Sequence, residues 1–264
     1  MAHSKSRLHT KNPFKKIAIG SQAITAKRHV KLAPEPHGDR FGLVCADGVD
    51  PSGEPLKILA VGDSMIAGCG TANQSLGLVP QIATDLSERV NRPVHWQTEA
   101  KLGSTVRRIK YRLLPKGTKD GARFDVIYLG AGSNDIMARR KMDSWKQDLG
   151  DCIDMAREHT DTVIVMSCGQ LQWIPSLGKM LRDDMLKVCD EQCAASLKVC
   201  AKHGATFLNM LHEDLGCENS WFWCGDQFHP NTYGYGILAR HCIDAIPQDV
   251  IDRLRESRVG TPTA

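Results

Sequence analysis

The sequence predicts a three-layer α/β/α sandwich around a five-stranded parallel sheet. Short apolar runs of β type alternate with longer stretches of helical period, which is the pattern of a sheet covered on both faces. Each connection between runs is long enough to hold a crossover helix. At 264 residues the chain suits one such domain with an appendage better than two full domains.

The appendage comes first. Residues 1–40 hold nine Lys and Arg against Glu35 and Asp39, a balance of +7 that leaves −3 for the rest of the chain. Lys5, Arg7, Lys11, Lys15, Lys16, Lys27, Arg28 and Lys31 make this a basic arm. It suits a peripheral contact with anionic lipid or stays a solvated extension, and nucleic acid is not the expected partner. Pro34, Pro36, Gly38, Gly42, Gly48, Pro51, Gly53 and Pro55 then mark residues 32–55 as a connector. The expected organisation is therefore arm and connector over 1–55 and one domain over 56–264.

The first strand is Leu56–Val61, followed by Gly62-Asp63-Ser64-Met65-Ile66-Ala67-Gly68. In an open α/β sheet, ligands bind outside the carboxyl ends of the strands, so the Ser64 hydroxyl is aimed at a crevice. The competing reading is a helix N-terminus capped by Asp63 or Ser64. A helical segment near 75–90 leads to a second strand, Val94–Ala100, and then to Leu102-Gly103-Ser104-Thr105. Gly103 can present its backbone N–H to an oxyanion there, or the turn is simply capped by Ser104 or Thr105.

After helical residues near 105–114 comes the third strand, Phe124–Leu129, which runs into Gly130-Ala131-Gly132-Ser133-Asn134-Asp135. The Asn134 amide can donate to a carbonyl oxygen that gains charge under attack. Asparagine in such a turn also serves simply because it tolerates left-handed backbone. A helix near 143–160 precedes the fourth strand, Thr162–Ser167, rich in β-branched residues. Trp173, Ile174 and Leu177 follow it and form one candidate pocket wall. Charge mixed with Leu186, Val188, Leu197 and Val199 at three- and four-residue steps gives a helix over 180–203, and Ala205–Asn209 is the fifth strand.

Beyond it, Trp221-Phe222-Trp223 is a second candidate pocket wall, although both aromatic clusters suit core packing equally well. Cys224-Gly225-Asp226-Gln227-Phe228-His229 then sets a carboxylate three residues before an imidazole. One turn brings them together, so the acid can fix the imidazole's tautomer while the base takes a serine proton. The alternative for His229 is a structural loop histidine. A helix near 232–246, with Asn231 or Thr232 as cap, follows.

Taken in order, Gly-Asp-Ser, Gly, Gly-x-Asn-Asp and Asp-x-x-His resemble the SGNH hydrolase family, also called GDSL esterases and lipases, over about residues 56–246. The resemblance implies a flavodoxin-like sandwich and a nucleophile at Ser64, with His229 as general base and Asp226 as its partner. It also implies an oxyanion hole of Ser64 N–H, Gly103 N–H and Asn134, and no metal or organic cofactor. The elbow Gly-x-Ser-x-Gly of the α/β-hydrolases is absent, since Ile66 stands two residues past Ser64. Neither the Walker lysine pattern nor Gly-x-Gly-x-x-Gly supports a nucleotide site.

The expected activity is hydrolysis of a lipid, sugar or small-molecule ester through an acyl-enzyme. An acyltransferase using the same residues, or a non-catalytic lipid-binding module, is the alternative. The ten cysteines read as reduced core residues, with Cys217 and Cys224 open to pairing or metal binding. No run reaches the roughly 18 apolar residues of a membrane span, and Ile17-Ala18-Ile19-Gly20 is too short for a secretory leader. A cytoplasmic location is the resulting expectation.

Overall fold

The computed structural model describes residues 12–257. Lys5, Arg7 and Lys11 of the basic arm lie outside the described residues. The sheet has six strands: β1 (Phe41–Val44), β2 (Leu56–Gly62), β3 (Val94–Ala100), β4 (Val126–Gly130), β5 (Val163–Met166) and β6 (Thr206–Leu208). Their spatial order is β1-β3-β2-β4-β5-β6. β2 to β6 are parallel, and they are the five strands expected from the sequence. The expected count of five is corrected by β1, which pairs antiparallel with β3 at the edge and comes from the segment read as a connector. An edge strand is held on one side only, so four residues without a fully buried face suffice.

Nine helices are described. α1 is Pro13–His29 and α2 is Leu78–Val90. α3 (Val106–Arg108) and α4 (Leu114–Gly117) are joined by a π-helical turn over Ile109–Leu113. α5 is Ser133–Met137, α6 is Met142–Arg157, α7 is Lys179–His203, α8 is Thr232–Asp244 and α9 is Gln248–Glu256. Asn12 caps α1 by accepting from Phe14 N–H, and Asn231 caps α8 by accepting from Gly234 N–H. Among the described residues no helix is long and apolar enough to cross a membrane.

Strand residues alternate between two cores, as a period of two requires. Leu56, Ile58, Ala60, Val126, Tyr128 and Ile164 face one core with α2, α8 and α9. Leu59, Val61, Ile127, Leu129, Val163 and Val165 face the other with α6. β2 is buried on both faces except at Lys57, so it is the central strand. Counting only the parallel strands, the order is the flavodoxin-like 2-1-3-4-5, with its switch point between β2 and β4. The polar clusters after those two strands therefore flank the crevice where ligands bind.

Candidate active site

β2 and β4 end in register on Gly62 and Gly130. The Ser64 turn folds directly over them: a Cβ at Gly62 would collide with the Gly130 carbonyl and Ile66, and one at Gly130 with Ile66. Asp63 N–H donates to Gly130 O at 3.1 Å, and Asp63 Oδ1 accepts from Met65 N–H at 3.0 Å. These contacts fix Ser64 above the sheet edge.

His229 arrives from the loop between β6 and α8, closed by an antiparallel bridge between Trp223 and Pro230 and by Cys224 N–H on His229 O at 2.8 Å. Its Nε2 lies 2.9 Å from Ser64 Oγ, and its Nδ1 lies 2.7 Å from Asp226 Oδ2. With Asp226 ionised, Nδ1 donates to the carboxylate and Nε2 is left to accept from the Ser64 hydroxyl. Asp226 Oδ1 also accepts from the N–H groups of Phe228 and His229, both at 2.8 Å, and from the Cys224 thiol at 3.0 Å. Burial opposes the Asp226 charge, but the His229 ring, these donors and Ala33 N–H outweigh it and hold the carboxyl well below the ordinary range.

Asn134 follows β4 at the start of α5, and its amide donates to Ser104 O at 3.0 Å and, at a long 3.4 Å, to Asp63 Oδ2. Gly103 lies in the Leu102–Ser104 turn with φ of 77°, a left-handed conformation that glycine adopts without strain. Among the described residues, neither Ser64 N–H nor Gly103 N–H has a hydrogen-bond partner. Burial pushes the Asp63 carboxyl up to about 6, against the opposing effects of Met65 N–H, His229 and Asn134. The structure thus gathers Ser64, Asp226, His229, Gly103 and Asn134 at one sheet edge.

The aromatic clusters divide. Ile174, Phe222 and Trp223 line a narrow apolar cavity of about 80 Å³ beside Ser64 and His229. Leu177 instead lines a wider groove of about 530 Å³ that reaches the same residues from the side of α1 and α7. Trp173 and Trp221 border neither cavity: both are about half-exposed, and Trp221 packs edge-on against Tyr233. Their expected place in the pocket wall is corrected, because short 3-10 turns face these indoles outward. Cys217 and Cys224 are both free thiols. Among the described residues no group of three or more His, Cys, Asp or Glu side chains is placed to hold a metal.

Further groups, to which the sequence assigned no role, support the site. Ala33 N–H donates to Asp226 Oδ2 at 2.8 Å. Glu35 Oε1 accepts from Leu102 N–H at 2.8 Å, one residue before Gly103, and the carboxylate also pairs with Arg40 at 2.6 Å and Lys101 at 3.1 Å. Burial works against the Glu35 charge, yet Leu102 N–H, Lys101 and Arg40 keep its carboxyl below the ordinary range. Beside Asn134, buried Asp135 accepts from Val106 N–H at 2.9 Å and from Arg140 at 2.8 Å, and Arg140 continues to Asp148 at 2.6 Å. A lone acid among prolines was the only signal for Glu35, and a backbone donor such as Ala33 gives none.

Known proteins resemble this chain in sequence and in fold. The model of the GDSL-like lipase/acylhydrolase family matches residues 60–237. A GDSL-like esterase of Mycobacterium tuberculosis is 23% identical over 220 residues, 79% of this chain and 69% of that protein. A member of the lipolytic G-D-S-L family from Veillonella parvula superposes with a TM-score of 0.57 at 18% identity, over 72% of this chain and 98% of that one. The acetylxylan esterase Axe2 of Geobacillus stearothermophilus, in a catalytic mutant, gives a TM-score of 0.58 at 17% identity, over 74% and 96%. With a family model spanning most of its length and the fold shared with these structures, the chain belongs to the GDSL-like lipase/acylhydrolase family and is a serine hydrolase of the SGNH type.

Proposed function

We propose that this chain hydrolyses carboxylic esters in two steps, with Ser64 as nucleophile, His229 as general base and Asp226 as the acid that orients it. The observation that carries this reading is the unbroken run of hydrogen bonds from Ser64 Oγ through His229 to Asp226, at 2.9 and 2.7 Å. The esterase and lipolytic relatives support the ester class.

In the first step Ser64 Oγ bonds to the carbonyl carbon while its proton passes to His229 Nε2. The carbonyl's π pair moves onto oxygen, where Ser64 N–H, Gly103 N–H and the Asn134 amide donate to the new charge. Of the two Asn134 amide contacts, the one to Asp63 is the longer at 3.4 Å, so the hydrogen on that side is the one an oxyanion would compete for. As the tetrahedral centre collapses, the ester C–O bond breaks and the leaving oxygen takes the proton from His229, departing as the alcohol. Water then gives its proton to His229 and bonds to the acyl carbon. The acid leaves as the proton returns to Ser64 Oγ.

Ionised Asp226 holds the imidazole in the useful tautomer and stabilises the imidazolium. Ser64→Ala should abolish hydrolysis of p-nitrophenyl acetate with an unchanged circular dichroism spectrum. Activity retained near the wild-type rate would refute the reading.

A further inference from the structure

Helix α1 lies outside the residues matched by the family model, which begins at residue 60, yet it is built into the molecule. It lies against α7, with Ile19 buried and Gln22 Oε1 accepting Leu181 N–H at 2.9 Å. The chain leaving α1 is tied to the site itself through Ala33 and Glu35. The helix is therefore held at its middle, and the chain that leaves it is held at the site.

The groove of about 530 Å³ runs between α1 and α7 and opens onto Ser64, Asn134 and His229. Ala23, Ala26 and, just past the helix, Val30 form its α1 side, Leu181 and Met185 belong to its α7 side, and Met137 and Trp145 come from α5 and α6. The small and aliphatic side chains offer an extended ligand burial, at roughly 0.8 kcal/mol for each buried CH₂, while Lys27, Arg140 and Asp184 also line the groove. The cavity on the other side of Ser64 is much smaller, about 80 Å³, and Phe222 and Trp223 help to wall it. An ester group at Ser64 thus borders a confined cavity and a much roomier, mostly apolar groove.

We propose that α1 completes a chain-binding groove at Ser64, and that Ala23, Ala26 and Val30 determine acceptance of esters carrying one extended aliphatic chain and one small group. The inference rests on the reading of Ser64 as nucleophile. It assigns α1 a specificity role that the family-matched domain alone does not supply, because without α1 the groove loses one of its sides.

The test uses the full chain and two phosphonofluoridates, one with an ethyl and one with a decyl substituent on phosphorus. In the labelling step a Ser64 Oγ–P bond forms as the P–F bond breaks, fluoride leaves with the electron pair, and His229 takes the hydroxyl proton. The decyl probe should label wild-type Ser64 at least tenfold faster than the ethyl probe. Ala26→Trp, which places an indole in the groove, should reduce that preference at least tenfold. Ala23→Phe, one turn earlier, supplies a second obstruction should the first variant fail to fold.

Equal labelling rates for the two probes, or a preference that persists in both folded variants, would overturn the role of α1 while leaving Ser64 as nucleophile. Absence of labelling by either probe would overturn the nucleophile assignment and this inference with it.

Discussion

Replacing Glu35 by alanine probes how the Leu102–Ser104 turn, the proposed source of one oxyanion donor, is held. The carboxylate accepts Leu102 N–H at 2.8 Å and is paired with Arg40 and Lys101, so the substitution removes two contacts from the segment leading into Gly103 and the ion pair with Arg40. What remains is Lys101 N–H on Gly62 O at 3.2 Å, Ser104 N–H on Lys101 O at 3.1 Å and the Asn134 amide on Ser104 O at 3.0 Å. Complete loss of one oxyanion donor costs about 2.7–4 kcal/mol, or 10²–10³ in kcat. Glu35→Ala loosens the Gly103 donor without deleting it, so the expected loss lies below that range, at roughly 10- to 100-fold in kcat.

Glu35→Gln keeps an oxygen for Leu102 N–H and gives up only the ion pairs, each worth about 0–1 kcal/mol. It should restore kcat to within about threefold of wild type. Steady-state hydrolysis of p-nitrophenyl acetate, resolved into kcat and KM and accompanied by thermal unfolding, separates tethering from stability. A wild-type kcat in folded Glu35→Ala, or equal losses in the Ala and Gln variants, would refute the tether.

Other predictions follow from the same geometry. Asn134→Ala should lower kcat by roughly 10²–10³ with little change in KM, measured on the same ester. Asp63 is buried with its carboxyl raised from 3.8 to about 6, so it contributes stability that is complete below pH 3.8 and lost as pH rises through 6. In urea titrations the stability of Asp63→Asn relative to wild type should therefore grow by roughly 3 kcal/mol from acid to neutral pH, whatever constant offset the amide introduces; a flat difference would contradict the burial argument. Asp226 has the opposite sign, because its depressed carboxyl gives stability present above 3.8 and lost as pH falls through its folded value. Asp226→Asn should thus flatten the acid limb of the stability profile, and it should cost about 10⁴ in kcat if the amide holds His229 in the wrong tautomer.

Ser64 and Asn134 were legible as candidates because strand ends are legible, and His229 because Asp226 stands three residues before it. A run such as Leu56–Val61 fixes where the chain leaves the sheet, and a parallel sheet brings those exits to one edge. The helices of strong period, α6 and α7, fell within about three residues of their expected ends for a similar reason. Phe41–Val44 carried no such signal, since an edge strand with Phe41 and Leu43 exposed has no buried stripe to read. α1 was hidden too, because Ile19 is its one buried residue while Phe14, Ile17 and Ile24 are exposed, so its apolar residues mark no single buried face. α9 lies beyond the expected end of the last helix, which breaks at Ile246-Pro247.

The contacts that tie the N-terminal segment to the site join residues far apart in sequence, Ala33 with Asp226 and Glu35 with Leu102, and no local pattern encodes them. Trp173 and Trp221 illustrate the converse. Nearness in sequence to a catalytic block suggested a pocket wall, whereas a single local turn decides which way a side chain faces.

The central claim is that Ser64 is the nucleophile, set before donors from Gly103, Asn134 and its own N–H. A crystal structure of the protein after reaction with a phosphonofluoridate tests it most directly. The account predicts a covalent bond from Ser64 Oγ to phosphorus and a phosphoryl oxygen within hydrogen-bond distance of Ser64 N, Gly103 N and Asn134 Nδ2. Phosphorus bound to any other residue, or a phosphoryl oxygen turned away from all three donors, would contradict it.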